Sequence, residues 1–413
     1  MLLFYIDPGT GSMLFSIVIG LVTMLYFVGK AVILKLKFVL SGGRAVENHK
    51  RYSFVIYSES ERYWNVFKPI VEEFEKRQIP VVYYTSSEKD PIFTQDYSFV
   101  TREFIGEGNK AFTRLNFLEA DICLMTTPGL DVYQLKRSRG VSHYSHVLHA
   151  VDDATGYRLF GLDYFDSVLL SGEYQKAHVR LLEEKRGIHQ KELEVVGCPY
   201  LDELQKKVAS LPVEEDHRFT VLVAPSWGSN GILSKYGSKL LDPLLETGFQ
   251  IIVRPHPQTV LSEKNILEKL QKRYEGRNNL EWDFNRENLV TLSRSDIMIS
   301  DFSGVIFDFT FLFDRPFMYV NADFDARPYD AWDIEEKPWK FRVLPEIGIE
   351  LREENFSNIK EVLLAACKDT QLTENRWKAK DIAWQHREHS GRNIVDFLMK
   401  KQQETVSSKG KTN

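Results

Sequence analysis

Cysteine is scarce. The 413 residues hold three, Cys123, Cys198 and Cys367, far apart and without CxxC spacing, so neither a redox pair nor the clustered thiolates of a zinc site is on offer. A reducing compartment suits such a chain. Cys123 and Cys367 lie in apolar surroundings, ADICLM and LLAACK, where a thiol behaves as a small core group. An excess of one charge is lacking too: 53 Lys and Arg stand against 58 Asp and Glu, a formal net charge of -5. That excludes the basic footprint of a nucleic-acid binder. There is no G-x-x-x-x-G-K-[ST] phosphate loop, and Gly9-Thr10-Gly11 lacks the strand, third glycine and helix of a dinucleotide fingerprint. No internal repeat or low-complexity tract is present.

What the chain does have is length for two domains and a hydrophobic fraction of 43%, ordinary for a globular protein. Its start differs in kind. Met13 to Gly29 (MLFSIVIGLVTMLYFVG) is uncharged, and with Lys30 snorkelling the run extends through Leu34, long enough to cross a hydrocarbon core of about 30 Å as a helix. No basic region precedes it and no small-residue cleavage site follows, which argues against a removable signal peptide. Lys30, Lys35, Lys37, Arg44, Lys50 and Arg51 follow the run while only Asp7 is charged before it, so the positive-inside rule puts the rest of the protein at the cytoplasmic face of a membrane. Residues 1–44 are therefore expected to form a transmembrane or membrane-embedded anchor, with an interfacial helix or a buried hairpin as alternatives.

Beyond Ser41 to Gly43, strand and helix patterns alternate. Arg51 to Tyr57 reads as a strand, Tyr63, Phe67, Ile70, Val71 and Phe74 recur at helical spacing, and Ile79 to Tyr84 is strand again, which is a βαβ unit. Short apolar runs at Ile122 to Met125, His146 to Ala150, Ser167 to Leu170 and Leu193 to Val196 suit buried parallel strands. Gln205 to His217, polar and acidic with Pro212, reads as a linker. A second series follows: strands at Phe219 to Ala224, Gln250 to Val253, Asp296 to Ile299 and Pro316 to Val320, with helices around Lys239 to Glu246 and Glu263 to Tyr274. The expected organisation is two successive α/β domains, 45–210 and 211–400, facing a cleft, and a polar, disordered tail at 401–413.

Three motifs fall at predicted strand ends. Ile299 to Asp308 (ISDFSGVIFD) passes from a strand through small polar residues into an apolar helix. A helix N-terminus points N–H groups and a positive dipole end outward, so Ser300, Ser303 and the Gly304 amide are phosphate-binding candidates. Plain capping by Asp301 or Ser303 is the structural alternative, compatible with the first. Arg254-Pro255-His256-Pro257 follows the QIIV strand. A guanidinium fork and an imidazole fixed by flanking prolines suit a departing nucleotide phosphate. His149 ends the third motif, His143 to Ala150, ahead of Asp152 and Asp153. Strand alternation places Ser145, Val147 and His149 on one face and His146 on the other. His149 is thus a candidate base or an ordinary satisfied histidine, and the scatter over two faces argues against a metal. Lys136, Arg137 and Arg139 form a basic patch that either meets an anionic acceptor or is a solvated loop. Pro225 to Gly231 is a candidate loop over the donor.

Together, Ala224-Pro225-Ser226-Trp227, Arg254 to Pro257, Ser300 to Phe309 and Arg315-Pro316 resemble the CDP-glycerol glycerophosphotransferases of teichoic acid synthesis in order and approximate spacing. The resemblance spans roughly Ser145 to Leu398 and takes in Gly197 to Asp202 and Ser390 to Asp396. It implies a GT-B-like α/β fold of two Rossmann-like domains, with terminal helices crossing back to the first. It also implies attack by an acceptor hydroxyl on the β-phosphorus of a CDP-linked polyol, with CMP leaving. His149 matches the histidine of the family's His-Gly-Thr motif and takes the role of general base. Arg254 and His256 stabilise diphosphate charge; Ser300, Asp301, Ser303 and Gly304 lie near the donor phosphates; Asp308 and Ser226 support them. No metal and no cofactor is implied, and the acceptor is a lipid-linked or cell-envelope glycan. Ala150-Val151 stand where better-known members have Gly-Thr, and members that bind the membrane through surface helices lack the N-terminal apolar run, which together suggest a divergent branch. The competing readings are a GT-B glycosyltransferase using a nucleotide sugar and a membrane-tethered, non-catalytic nucleotide-binding homologue.

Overall fold

The computed structural model describes residues 19–26, 28–29, 51–211, 217–285, 287–321 and 324–410. The chain divides into two compact units, Met1–Arg51 and Tyr52–Asn413. In the first, residues 19–26 and 28–29 are helical, and apolar side chains such as Leu21, Val22, Met24 and Leu25 are exposed. No helix among the described residues is long and apolar enough to cross a membrane. The remainder of the expected span, 13–18, 27 and 30–34, lies outside the described residues, as does its basic flank from Lys30 to Lys50.

The second unit carries two parallel sheets. Strands β1 (Tyr52–Ser58), β2 (Val81–Thr85), β3 (Val100–Phe104), β4 (Ala120–Met125), β5 (Val141–Val147), β6 (Ser167–Leu170) and β7 (Glu192–Val195) pair in the order β3-β2-β1-β4-β5-β6-β7. Strands β8 (Thr220–Val223), β9 (Gln250–Val253), β10 (Leu280–Trp282), β11 (Ile297–Ser300), β12 (Phe317–Tyr319) and β13 (Ile349–Glu350) pair as β10-β9-β8-β11-β12-β13. The central strands read as continuous apolar runs because helices cover both faces: β4, β8 and β11 are buried along their whole length. In each sheet the strand order reverses, between β1 and β4 and between β8 and β11, and in such sheets the crevice beyond the carboxyl ends at that point takes ligands.

The last helix, Ser390–Gly410, returns to the first sheet. Ile394, Val395, Phe397 and Leu398 pack with Phe67, Ile70 and Phe74 of the helix Trp64–Lys76. The two helices approach so closely at Gly391 that an added Cβ would stand 2.4 Å from the Pro69 carbonyl oxygen. Asp202, near the start of the helix Pro199–Val208, accepts from Trp384 Nε1–H at 2.8 Å, the Glu388 N–H at 2.9 Å, the Ser390 N–H at 3.0 Å and the Ser390 hydroxyl. A buried carboxylate is tolerated when its lone pairs are filled in this way, and here it fastens the returning segment.

Three expectations need correction. The Lys401 to Asn413 segment continues the final helix through Gly410 rather than forming a disordered tail, because Lys401 is buried and pairs with Glu192 at 2.5 Å and Glu404 at 2.6 Å. Gln205 to Val208 belong to a helix whose Leu201 and Leu204 are buried, so the linker begins later, and its acidic run 212–216 lies outside the described residues. Strand β5 starts at Val141 and stops at Val147, which leaves His149 beyond the strand.

Candidate active site

A cavity of about 770 Å3 lies where the carboxyl ends of the two sheets meet. From the first sheet, the turn after β1 brings Glu61, Arg62, Trp64 and Asn65, and the loop after β2 brings Pro91. From the second come Ala224 and Pro225 after β8, Arg254 to Pro257 after β9, Asp283 to Asn285 after β10, and Ser303 after β11. Tyr200 completes it from the joining helix. The wall mixes aromatic and aliphatic surface with a few convergent polar heads, as ligand sites do.

Of the predicted donor residues, some face this space and others brace it. His256 caps the short helix Pro257–Ser262, its Nδ1 accepting the Gln258 N–H at 3.1 Å. Nδ1 is therefore the bare nitrogen, and the neutral ring carries its proton on Nε2. Burial, then repulsion from Arg62, lowers its pKa, so at pH 7 it is a neutral donor. Ser303 lines the cavity ahead of the helix Val305–Phe313, whose N-cap Gly304 is exposed and which no side chain caps. Ser300, by contrast, is fully buried and donates to the Ala224 carbonyl at 2.6 Å, joining β11 to the end of β8. Asp301 is buried and accepts three backbone N–H groups, from Ser226 at 2.9 Å, Ile232 at 3.3 Å and Phe302 at 2.8 Å. Burial pushes its carboxyl up against those bonds. It shapes the Pro225 to Gly231 loop; a carboxylate holding amides repels phosphate. Ser226 meets Asp301 through its N–H. Asp308 accepts from the Tyr200 hydroxyl at 3.1 Å and Asn288 Nδ2 at 3.4 Å, and burial outweighs these bonds to push its pKa to about 7.

Arg254 reaches the cavity but its guanidinium is engaged, pairing with the buried Asp283 and donating to the Asn285 carbonyl at 2.7 Å. Burial would raise the Asp283 pKa, yet hydrogen bonds from Thr291, the Asn285 N–H and Arg254 hold it below the usual carboxylate range. Arg62, from the first half, makes no ion pair among the described residues and faces His256 closely enough to repel its proton. Sequence reading missed it, as it missed Phe284, 49% exposed on the wall, since neither sits in a motif. The Lys136 to Arg139 patch lies before β5, at the opposite, amino end of the sheet. There Arg137 pairs with Asp166 at 2.9 Å and covers the Tyr144 ring at 4.9 Å. It is a structural contact and takes no part in this cavity.

His149 lies in a second, smaller cavity of about 120 Å3 lined by Leu148 to Ala150, Asp152, Asp153, Gly156 and Tyr157. Its Nδ1 is 3.1 Å from the Tyr157 hydroxyl, and the same hydroxyl is 3.0 Å from Nε2 of His146. The strand alternation predicted opposite faces for these rings; because β5 ends at Val147, the chain turns and both converge on one oxygen. Burial lowers the pKa of His149, partly offset by Asp152, and takes that of His146 to about 3. Asp152 pairs with Lys340 at 2.8 Å, and its Oδ2 lies 3.9 Å from where a Cβ on Gly304 would stand. The loop carrying Asp152 thus borders the N-terminus of the helix Val305–Phe313.

Residues of the second half hold that loop in place. Asp153 accepts the N–H groups of Trp339 at 2.8 Å and Lys340 at 2.9 Å. The Asp330 N–H donates to the Tyr157 carbonyl at 2.8 Å and Leu159 N–H to Pro328 at 3.1 Å. The Asp330 carboxylate accepts from the Phe160 N–H at 2.7 Å and from Arg186 Nη2 at 2.7 Å, and Arg186 also binds Asp163 and Asp333. Buried charge is thereby paired on every side.

A family model described as CDP-glycerol:poly(glycerophosphate) glycerophosphotransferase matches residues 165–331. The match contains the Arg254 to Pro257 and Ser300 to Asp308 motifs and begins after His149. Among solved structures, the wall teichoic acid polymerase TagF is similar in fold at 16% identity and a TM-score of 0.58, over 91% of this chain and 96% of that one. A UDP-GlcNAc 2-epimerase of Methanocaldococcus jannaschii, in complex with UDP-GlcNAc and UDP, is similar at 14% identity and a TM-score of 0.52, over 84% of this chain and 99% of that one. No curated protein matches the sequence. The α/β fold with parallel sheets is similar to that of TagF and of GT-B enzymes, and the resemblance read from the motifs holds over the matched segment.

Proposed function

We propose, taking the chain as a CDP-glycerol glycerophosphotransferase-like transferase, that it moves a polyol phosphate from a CDP-linked donor to a lipid-linked or cell-envelope glycan acceptor in teichoic acid synthesis, releasing CMP. The observation that carries this reading is the 770 Å3 cavity, in which His256, Ser303, an uncapped helix N-terminus and Arg62 converge from both halves. An uncapped helix start offers N–H groups and dipole to a diphosphate, the neutral His256 donates through Nε2–H, and Arg62 supplies charge. Phe284 offers a ring face to the cytosine base. Arg254 contributes at the rim of its ion pair and keeps the Asp283 to Asn285 turn in shape.

In the reaction, the acceptor hydroxyl oxygen bonds to the β-phosphorus, the bond from that phosphorus to the CMP oxygen breaks, and the hydroxyl proton passes to His149. Donors preorganised around the leaving phosphate act on charge that develops in the transition state. The two sheets then serve as the Rossmann-like halves of a GT-B enzyme, residues 45–210 for the acceptor and 211–400 for the donor. The apolar run from Met13 to Leu34 anchors the enzyme at the cytoplasmic membrane face, a role supported by the lack of charge from Met13 to Gly29 and the exposed side chains of residues 19–26.

The test is CMP release from CDP-glycerol with membranes as acceptor source. Release that is lost in His256→Asn supports the reading, since Asn keeps the helix cap and removes the Nε2–H. Stabilisation by UDP- or GDP-linked sugars and not by CDP-polyols would instead favour a nucleotide-sugar glycosyltransferase. Absence of any nucleotide effect would favour a non-catalytic homologue.

A further inference from the structure

Two histidines share one tyrosine oxygen in the smaller cavity, and a hydroxyl has a single proton to give. When the hydroxyl gives that proton to one of the two rings, the three groups adopt one of two proton arrangements. In one, His146 donates to Tyr157 and Tyr157 donates to His149 Nδ1, which leaves His149 with its proton on Nε2. In the other, His149 Nδ1–H donates to Tyr157, Tyr157 donates to His146 Nε2, and His149 Nε2 is bare. We propose that the second arrangement holds, and that Tyr157 with His146 behind it forms a positioning pair that fixes His149 as a base through Nε2. This rests on the reading of His149 as the proton acceptor for the incoming hydroxyl.

Several observations support the pair. His146 is fully buried, and among the described residues its Nδ1 has no hydrogen-bond partner, so the chain of hydrogen bonds ends there. Tyr157 is held from the other half through its own carbonyl by the Asp330 N–H at 2.8 Å. The His149 ring is also fixed edge-on against Tyr63, centroids 5.6 Å apart. Asp152, lining the same cavity, stabilises the imidazolium that forms when the proton arrives. A base whose second nitrogen is held by a third group is the general logic of an activated catalytic histidine.

Tyr157→Phe in the full chain removes the hydroxyl and keeps the ring. Its expected effect is a fall in kcat of roughly 10- to 100-fold, the scale of a misplaced catalytic group, with donor KM within twofold. Nitrogen NMR of histidine-labelled wild-type protein should show His149 protonated at Nδ1 and not at Nε2. A wild-type Nε2–H tautomer overturns the proposal whatever the activity data say, and so does Tyr157→Phe with kcat within twofold of wild type. If His149→Ala itself leaves kcat intact, it is the base assignment that fails; if His149→Ala is inactive while Tyr157→Phe is normal, only the positioning role fails. Should Tyr157→Phe not fold, the wild-type tautomer still decides.

Discussion

The larger cavity and the His149 pocket use their polar residues in opposite ways. In the larger cavity most motif residues are saturated: Ser300 braces Ala224, Asp301 carries three amides, and Asp283 takes Arg254. What remains to meet a ligand is His256 Nε2, Ser303, a helix start and Arg62, a residue of no motif. In the His149 pocket the bonds run in a line from His149 inward through Tyr157 to His146, and under the proposed function the outer end of that line takes the proton. A polar motif thus marks where a loop must be rigid, and the groups proposed to act are those with one hydrogen-bonding position left over.

That contrast can be broken in stages. His149→Ala should cut transfer by about 10²- to 10⁴-fold, as loss of a positioned base does, while calorimetric CDP binding stays at the wild-type level; weakened binding would merge the two sites. The two arginines should separate next. Arg254→Ala should destabilise by roughly 3–5 kcal/mol in denaturant unfolding, because Asp283 is left buried and unpaired. Arg62→Ala should leave unfolding unchanged and raise donor KM about tenfold, the scale of one lost charged hydrogen bond. A reversed pattern would make Arg254 the ligand and Arg62 the brace.

Acid should act on the histidines before the scaffold. Burial lowers both His149 and His256, so kcat/KM should hold from pH 8 to pH 7 and fall only as pH drops below 6.5, the ordinary histidine value. A limb centred above 6.5 would contradict the burial argument. The smallest effect concerns Asp308, whose pKa of about 7 exceeds its unfolded value of 3.8. The folded state binds the extra proton between those values, so this residue's contribution to stability is present at low pH and is lost as pH rises through 7. Asp308→Asn should therefore match wild type in melting temperature at pH 4 and exceed it at pH 8.

Much of the fold was legible because parallel strands buried on both faces are short apolar runs, and β1, β4, β8, β9 and β11 read that way. The edge strands β3, β10 and β13 were not, since VTREF, LEW and IE are only half buried and carry no such run. Arg254, His256 and Ser303 were legible as strand-end polar residues. Their division into braces and contacts was not, because it depends on partners at large sequence separation, as in Ser300 with Ala224. Tyr157, Arg62 and Asp330 escaped for the same reason: each lies in or beside a short 3-10 turn without pattern and meets partners from the other half. The placement of His149 on the face opposite His146 failed because alternation holds only while a strand lasts, and β5 ends at Val147.

The most direct test of the central claim is a calorimetric titration of CDP and UDP into wild-type protein and His256→Asn. The account predicts saturable CDP binding, weaker UDP binding, and CDP affinity at least about tenfold lower in His256→Asn, the worth of one hydrogen bond to a phosphate. Equal CDP affinity in the two proteins, or no CDP binding in the wild type, would contradict it.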